Sequence, residues 1–142
     1  MAALAGSYAT HGEVYLWDDQ KDLLFWSTGG KFQGGSPPKL YYLKKVMESV
    51  PYWEMKPDLR LSDGVDTFVL SHEEIFLYFF GPDYKDRPEF PLGYFLVSDV
   101  EYELEIHDVW QCHRVGTLRT KGNGGVSIRM PDWCVVIARK IS

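Results

Sequence analysis

The stretch EYELEIH, residues 101–107, has the most regular alternation in the chain. Tyr102, Leu104 and Ile106 share one side of an extended segment, and the residues between them are charged or polar. Successive side chains of a β-strand point to opposite faces of its sheet, so this period of two predicts a strand. We expect Leu104 and Ile106 to face a hydrophobic core and Glu103 to face away from it.

Similar strand patterns recur along most of the sequence. Residues 74–80, EIFLYFF, are apolar on both faces, which is typical of a central strand. Shorter strands are predicted at 66–70, 93–97, 115–119, 126–130 and 134–138. Short strands separated by turns at this spacing predict a mainly β fold, in the form of an antiparallel β-sandwich.

One α-helix is predicted, over residues 36–50. Ser36 is a suitable N-cap, Pro37 suits the first helical position, and Pro51 would end the helix. Apolar residues at helical spacing form one face: Leu40, Leu43, Met47 and Val50. The charged residues are predicted to face solvent: Lys39, Lys44, Lys45 and Glu48.

Composition and charge restrict the function. The chain has 142 residues, enough for one compact domain, and a net charge of −5, which argues against a nucleic-acid partner. It has no apolar run long enough to span a membrane, and its first residues do not resemble a signal peptide. Cys112 and Cys134 are predicted to be buried free thiols, which favours a cytoplasmic location. No cofactor or metal is expected.

Several polar residues are candidates for a site. His11 and Glu13 flank Gly12 among aromatic residues, but glycosidic cleavage needs two carboxylates and Glu13 has no evident partner. His107, Asp108 and His113 could form a metal or acid–base site if they converged, although such residues more often cap a strand and a turn. The five tryptophans are mostly expected in the core, and one or two exposed ones would suffice to stack on sugar rings.

The N-terminal third resembles the end of the barrel in bacterial proteins classed as glycoside hydrolases, in which a (β/α)8 barrel precedes a small β-sandwich. That family carries a stretch similar to GGYATHGE, then a tryptophan before a Gly-Gly pair, then HGxSP at the start of the last barrel helix. The corresponding stretches here are residues 5–13, AGSYATHGE, residues 25–30, FWSTGG, and residues 34–37, GGSP.

The C-terminal part resembles the sandwich of the same family, so the likeness covers nearly the whole chain. The matching stretches are residues 77–81, LYFFG, residues 106–110, IHDVW, and residues 130–139, MPDWCVVIAR.

This resemblance implies a remnant of the barrel over residues 1–56 and a C-terminal sandwich domain over residues 57–142. His11 and Glu13 would lie at the rim of the sugar pocket and Trp26 close to it, as substrate-binding residues. The catalytic carboxylates would come from earlier barrel strands, so the chain alone is expected to be inactive. Its partners would be a carbohydrate and the barrel of the same parent chain.

Two alternatives stay open at the level of sequence. The chain could be a stand-alone carbohydrate- or protein-binding module, which exposed coplanar aromatics on one face of the sandwich would favour. The N-terminal segment could also pair with a second copy and give a homodimer, because an unpaired strand edge is adhesive when exposed.

Overall fold

The fold was analysed in a computed structural model, which describes residues 15–16, 31–32, 35–62, 67–82, 99–122 and 130–141. The helix α1 spans Ser36–Glu48. The strands, in chain order, are β1 Tyr15–Leu16, β2 Lys31–Phe32, β3 Lys56–Pro57, β4 Thr67–His72, β5 Ile75–Phe80, β6 Glu101–Asp108, β7 His113–Lys121 and β8 Cys134–Lys140.

Strands β3 to β8 form one antiparallel sheet in the order β3-β4-β5-β8-β6-β7. Two hairpins, β4–β5 and β6–β7, supply most of it, and β8 joins them by pairing with β5 on one side and β6 on the other. The β4–β5 turn is short, and its first residue, Glu73, has a positive φ of 49°. Strands β1 and β2 pair with each other in a separate two-stranded sheet.

Each face of the large sheet carries its own hydrophobic cluster. Helix α1 covers one face, where Val46 and Met47 of the helix and Val50 of the following turn pack against the sheet. The sheet residues of that cluster are Leu70, Leu77, Phe79, Val135 and Ile137. The opposite face is also buried, and its cluster includes Val69, Phe76, Tyr78, Phe80, Tyr102, Leu104, Ile106, Val136 and Ala138. The strands β5 and β8 are therefore apolar on both sides, as their sequences require.

The mainly β, antiparallel fold is confirmed. The predicted strands at 74–80, 101–107, 115–119 and 134–138 correspond to β5, β6, β7 and β8. The strand predicted at 93–97, and most of the one at 126–130, lie outside the described residues. The described residues do not include a second sheet that packs face to face with the large one. The β-sandwich and the domain boundary near residue 57 therefore stay predictions.

The helix is where it was predicted, but its first turn differs. Gly35 is the N-cap, and Ser36 is already helical, with Pro37 following it inside the first turn. The prediction of Ser36 as the cap was therefore wrong by one residue. The helix ends at Glu48, ahead of Pro51, and Ser49 closes it with backbone bonds to the preceding turn. None of the helices that the structure describes is long and apolar enough to cross a membrane.

Both cysteines are free thiols, as predicted. Cys134 is completely buried in β8, and burial raises the pKa of its thiol. Cys112 is only half-buried, in the β6–β7 turn.

The alternation in β6 leads to a direct test. Leu104 is 1% exposed on the apolar face, whereas the side chain of Glu103 is 44% exposed on the other. Leu104→Ala should lower the free energy of unfolding by about 2–5 kcal/mol, because it removes buried methyl groups and leaves a cavity. Glu103→Ala should cost at most about 1 kcal/mol. Thermal denaturation of both variants measures the difference, and equal losses would contradict the register of β6.

Candidate functional site

The three residues that the sequence assigned to substrate binding, His11, Glu13 and Trp26, lie outside the described residues. Their role and their distance from one another therefore stay predictions. The nearest described segments are β1 and β2, which form an antiparallel pair between Tyr15–Leu16 and Lys31–Phe32.

His107, Asp108 and His113 do not form a metal site. One oxygen of Asp108, Oδ1, accepts hydrogen bonds from the backbone N–H groups of Trp110, at 2.9 Å, and Gln111, at 2.8 Å. Its role is therefore to cap the β6–β7 turn, while His113 is exposed at the start of β7. In the described part of the chain, no group of three His, Cys, Asp or Glu side chains could hold a metal ion.

A partly buried polar network connects α1 to the sheet. We call it the polar junction and define it as Tyr42, Ser49, Glu105, His107 and Arg139. The hydroxyl of Tyr42 lies 2.8 Å from Nδ1 of His107, and Nε2 of the same ring lies 3.1 Å from Oε1 of Glu105. Glu105 is off the direction of the ring N–H, so this second contact is electrostatic and not an aligned hydrogen bond.

Arg139 extends the junction from the sheet to the end of the helix. Its Nη1 donates to Oε2 of Glu105 at 3.0 Å, and its Nη2 donates to the backbone carbonyl of Ser49 at 3.3 Å. Ser49 is the C-cap of α1, where the helix dipole is negative, so the guanidinium is well placed there. The helix is thus held at its middle by Tyr42 and at its end by Ser49.

The charge states of the tyrosine and the histidine follow from their burial. Burial is the main reason that the pKa of Tyr42 is raised, so this side chain keeps its O–H. Burial also lowers the pKa of His107, and this outweighs the opposite effect of Glu105. A neutral ring that accepts the Tyr42 hydrogen at Nδ1 and keeps its proton at Nε2, toward Glu105, is consistent with both neighbours.

Glu105 is the charged centre of the junction. Burial alone would raise its pKa, but the hydrogen bond from Arg139 and the positive charges of Arg139 and Arg114 lower it overall. The Arg114 guanidinium lies 3.5 Å from Oε1, on the solvent side. Glu105 is therefore ionised, and two guanidinium groups balance its charge.

This arrangement is unsuited to catalysis by itself. A Tyr–His–Glu series resembles the order of groups in a nucleophilic relay, but such a relay needs an accessible nucleophile. The side chain of His107 is only 9% exposed beneath the helix, and the pKa of Tyr42 is raised, which makes its oxygen a poorer nucleophile at neutral pH. The junction therefore fixes the helix on the sheet.

A second feature lies beside the junction, at the β6–β7 turn. Trp110 is 53% exposed, and its ring is stacked with that of Trp133 at 27° and a centroid distance of 6.1 Å. Lys39, from the first turn of α1, places its Nζ 3.1 Å from the centroid of the Trp110 ring, a cation–π contact. Lys39, predicted to face solvent, is partly exposed and also contacts Trp110.

Little in the sequence indicates these contacts. His107 was placed correctly on the polar side of β6, but its burial depends on α1, which lies 65 residues away along the chain at Tyr42. The partners Tyr42, Glu105, Arg139, Lys39 and Trp133 were not identified as site residues. A weak signal was present, since residues 101–107 place three glutamates and a histidine on one face of a strand.

Comparison with solved structures shows a similarity in fold. The chain resembles a structure described as a putative glycoside hydrolase from Bacteroides vulgatus ATCC 8482, with a TM-score of 0.64 and 20% sequence identity. The match covers 98% of this chain but only 30% of that one. No family model and no curated protein matches the sequence. At 20% sequence identity the similarity establishes the fold but not the function.

The Tyr42–His107 contact can be tested with a neighbouring tyrosine as control. Tyr42→Phe removes the buried hydroxyl and should lower the free energy of unfolding by about 0.5–1.5 kcal/mol, because His107 loses its partner. Tyr41 is 61% exposed, so Tyr41→Phe should have no measurable effect. Urea denaturation gives both values. A Tyr42→Phe variant as stable as the Tyr41→Phe variant would show that the hydroxyl does not hold the helix.

The lowered pKa of His107 predicts a pH dependence. At mildly acidic pH the unfolded chain binds this proton more readily than the folded chain, so the stability from the neutral ring is complete above the unfolded pKa of about 6.5. It is lost as the pH falls from there toward the folded pKa. Thermal denaturation at pH 7.5 and pH 5 should therefore show a larger drop for the wild type than for His107→Gln.

His113→Gln is the matched control for this experiment, because it removes an exposed histidine a few residues away. It should keep the drop of the wild type. The same drop in the wild type and in His107→Gln would mean that His107 contributes nothing to the pH dependence.

Proposed function

We propose that this chain is the C-terminal part of a glycoside hydrolase, comprising the last strand, loop and helix of a (β/α)8 barrel and the β-sandwich that follows. In this proposal residues 1–56 belong to the barrel and residues 57–142 form an accessory domain. One observation carries it: the similarity to the Bacteroides vulgatus protein covers 98% of this chain but only 30% of that protein's chain. The motifs AGSYATHGE and GGSP at the expected places support it.

The accessory domain would stabilise the barrel by holding its last helix. Helix α1 is the element that the two parts would share, and it contacts the sheet through both an apolar cluster and the polar junction. Interfaces between domains are commonly more polar than domain cores, and the junction has that character. A helix fixed at its middle and at its end would have a defined orientation relative to the sheet.

The chain would not supply a complete catalytic site. Hydrolysis of a glycosidic bond normally needs two carboxyl groups at a defined separation, and the resemblance assigns both to earlier barrel strands. His11 and Glu13 would contribute to the rim of the sugar pocket, with Trp26 nearby. The carbohydrate would therefore be bound by the whole enzyme, and the barrel would be the partner of the residues in this chain.

The alternative is a stand-alone binding module. It predicts a natural protein of about the size of this chain, whereas the proposal predicts a much larger one. An antibody raised against the chain, used on extracts of the source organism, should detect a protein several times larger than this chain if the proposal holds. A band of the size of this chain alone would contradict it. The recombinant chain provides the size standard on the same blot.

Activity gives an independent test. We expect the isolated chain to release no nitrophenol from a panel of nitrophenyl glycosides above the rate in buffer, because the resemblance assigns both catalytic carboxylates to earlier barrel strands. Glu13→Gln should behave identically. Turnover by the wild type that disappears in Glu13→Gln would show that Glu13 is catalytic within this chain, and would refute the accessory role.

A further inference from the structure

The β6–β7 turn is built to hold Trp110 in a fixed place. Oδ1 of Asp108 accepts two backbone N–H groups of the turn, including that of Trp110 itself. The backbone of Val109 donates to the carbonyl of Trp133 at 3.1 Å, which ties the turn to the start of β8. Cys112 ends the turn with a positive φ of 58°. An aromatic side chain on such a turn loses little further freedom when a ligand stacks on it.

The surroundings of Trp110 leave room for a ligand and offer it a charge. Trp110 is still 53% exposed with Trp133 and Lys39 in contact with it. Trp133 in turn contacts Phe79, so the stack continues into the cluster beneath α1. Lys39 forms no ion pair with the described residues, and its ammonium lies over one face of the Trp110 ring, within reach of a ligand bound beside it.

The position of the turn links it to the proposed barrel. Lys39 lies in the first turn of α1, so Trp110 is beside the N-terminal end of this helix. In a (β/α)8 barrel every helix begins on the side where the strands end, and that side carries the active site. If α1 is the last barrel helix, as the proposed function requires, the β6–β7 turn reaches the same side.

We infer that Trp110 is a carbohydrate-binding platform, on which the accessory domain holds one pyranose ring of a glycan chain near the barrel's cleft. The C–H face of the sugar would stack on the part of the indole that Lys39 and Trp133 leave exposed, and Lys39 would bind a hydroxyl or a carboxylate of the same residue. This inference rests on the proposed function for the location of the cleft. The stacking itself depends only on Trp110, Trp133 and Lys39.

The chain offers a matched control in Trp53. It is also exposed, at 67%, but its ring meets Tyr52 edge-on and its Nε1 donates to Glu54 at 3.1 Å. No described cation lies over it. Trp53→Ala therefore removes an equally large and exposed indole without affecting the proposed platform.

Affinity electrophoresis of the full chain in gels containing soluble polysaccharide tests the inference. Arabinoxylan represents neutral pyranose chains and polygalacturonate acidic ones. We expect at least one of them to retard the wild type and Trp53→Ala equally, and Trp110→Ala to bind it roughly tenfold more weakly, or about 1.4 kcal/mol. No retardation of the wild type by either, or equal loss in both variants, would overturn the inference.

A second measurement uses only the wild type, so it does not depend on the folding of a variant. Oxidation of tryptophans by N-bromosuccinimide, read by mass spectrometry, should be slowed at Trp110 by the retarding polysaccharide and unchanged at Trp53. Equal oxidation of Trp110 with and without polysaccharide would also overturn the inference. Both results are independent of the size of the natural protein, so failure here and failure of the proposed function can be distinguished.

Discussion

The carboxylate of Glu105 is the interaction on which the junction of helix and sheet depends. It lies on the face of β6 that α1 covers, and it contacts His107, Arg139 and Arg114. Without a positive partner a buried carboxylate would take up a proton or remain exposed to water. Arg139 supplies that charge and, with its second nitrogen, binds the end of α1. One ionised group is therefore connected both to the polar residues of this sheet face and, through Arg139, to the end of the helix.

The strands could be predicted from the sequence because their signal is local. The alternation in residues 101–107 and the continuous apolar run in residues 74–80 correspond to β6 and β5, one with a polar and one with an apolar second face. The burial of the polar face of β6 could not be predicted in this way. Glutamates and a histidine at alternate positions are equally compatible with a strand face exposed to solvent and with one covered by a helix. Only the tertiary arrangement, which brings Tyr42 over this face, distinguishes the two.

The site shows the same division between local and distant information. The capping role of Asp108 follows from two amides within three residues of it, and sequence reasoning favoured such a role. The contact between Lys39 and Trp110 joins α1 to a turn at the other end of the chain, and no periodicity in either segment indicates it. His11, Glu13 and Trp26 were assigned to the site by the similarity of their motifs to those of a known family. Such similarity identifies residues but does not give their positions or distances.

The polar character of the junction has a consequence for the orientation of the helix on the sheet. An apolar interface tolerates sliding and rotation, because dispersion contacts have little directional preference. A tyrosine hydroxyl on a ring nitrogen and a guanidinium on a helix C-terminal carbonyl have defined directions. The apolar cluster of Val46, Met47 and Val50 can then supply the burial, while the polar junction selects one orientation of the helix. In that orientation the start of α1 lies against the turn that carries Trp110, so the same contacts that hold the helix also determine where the exposed indole is presented.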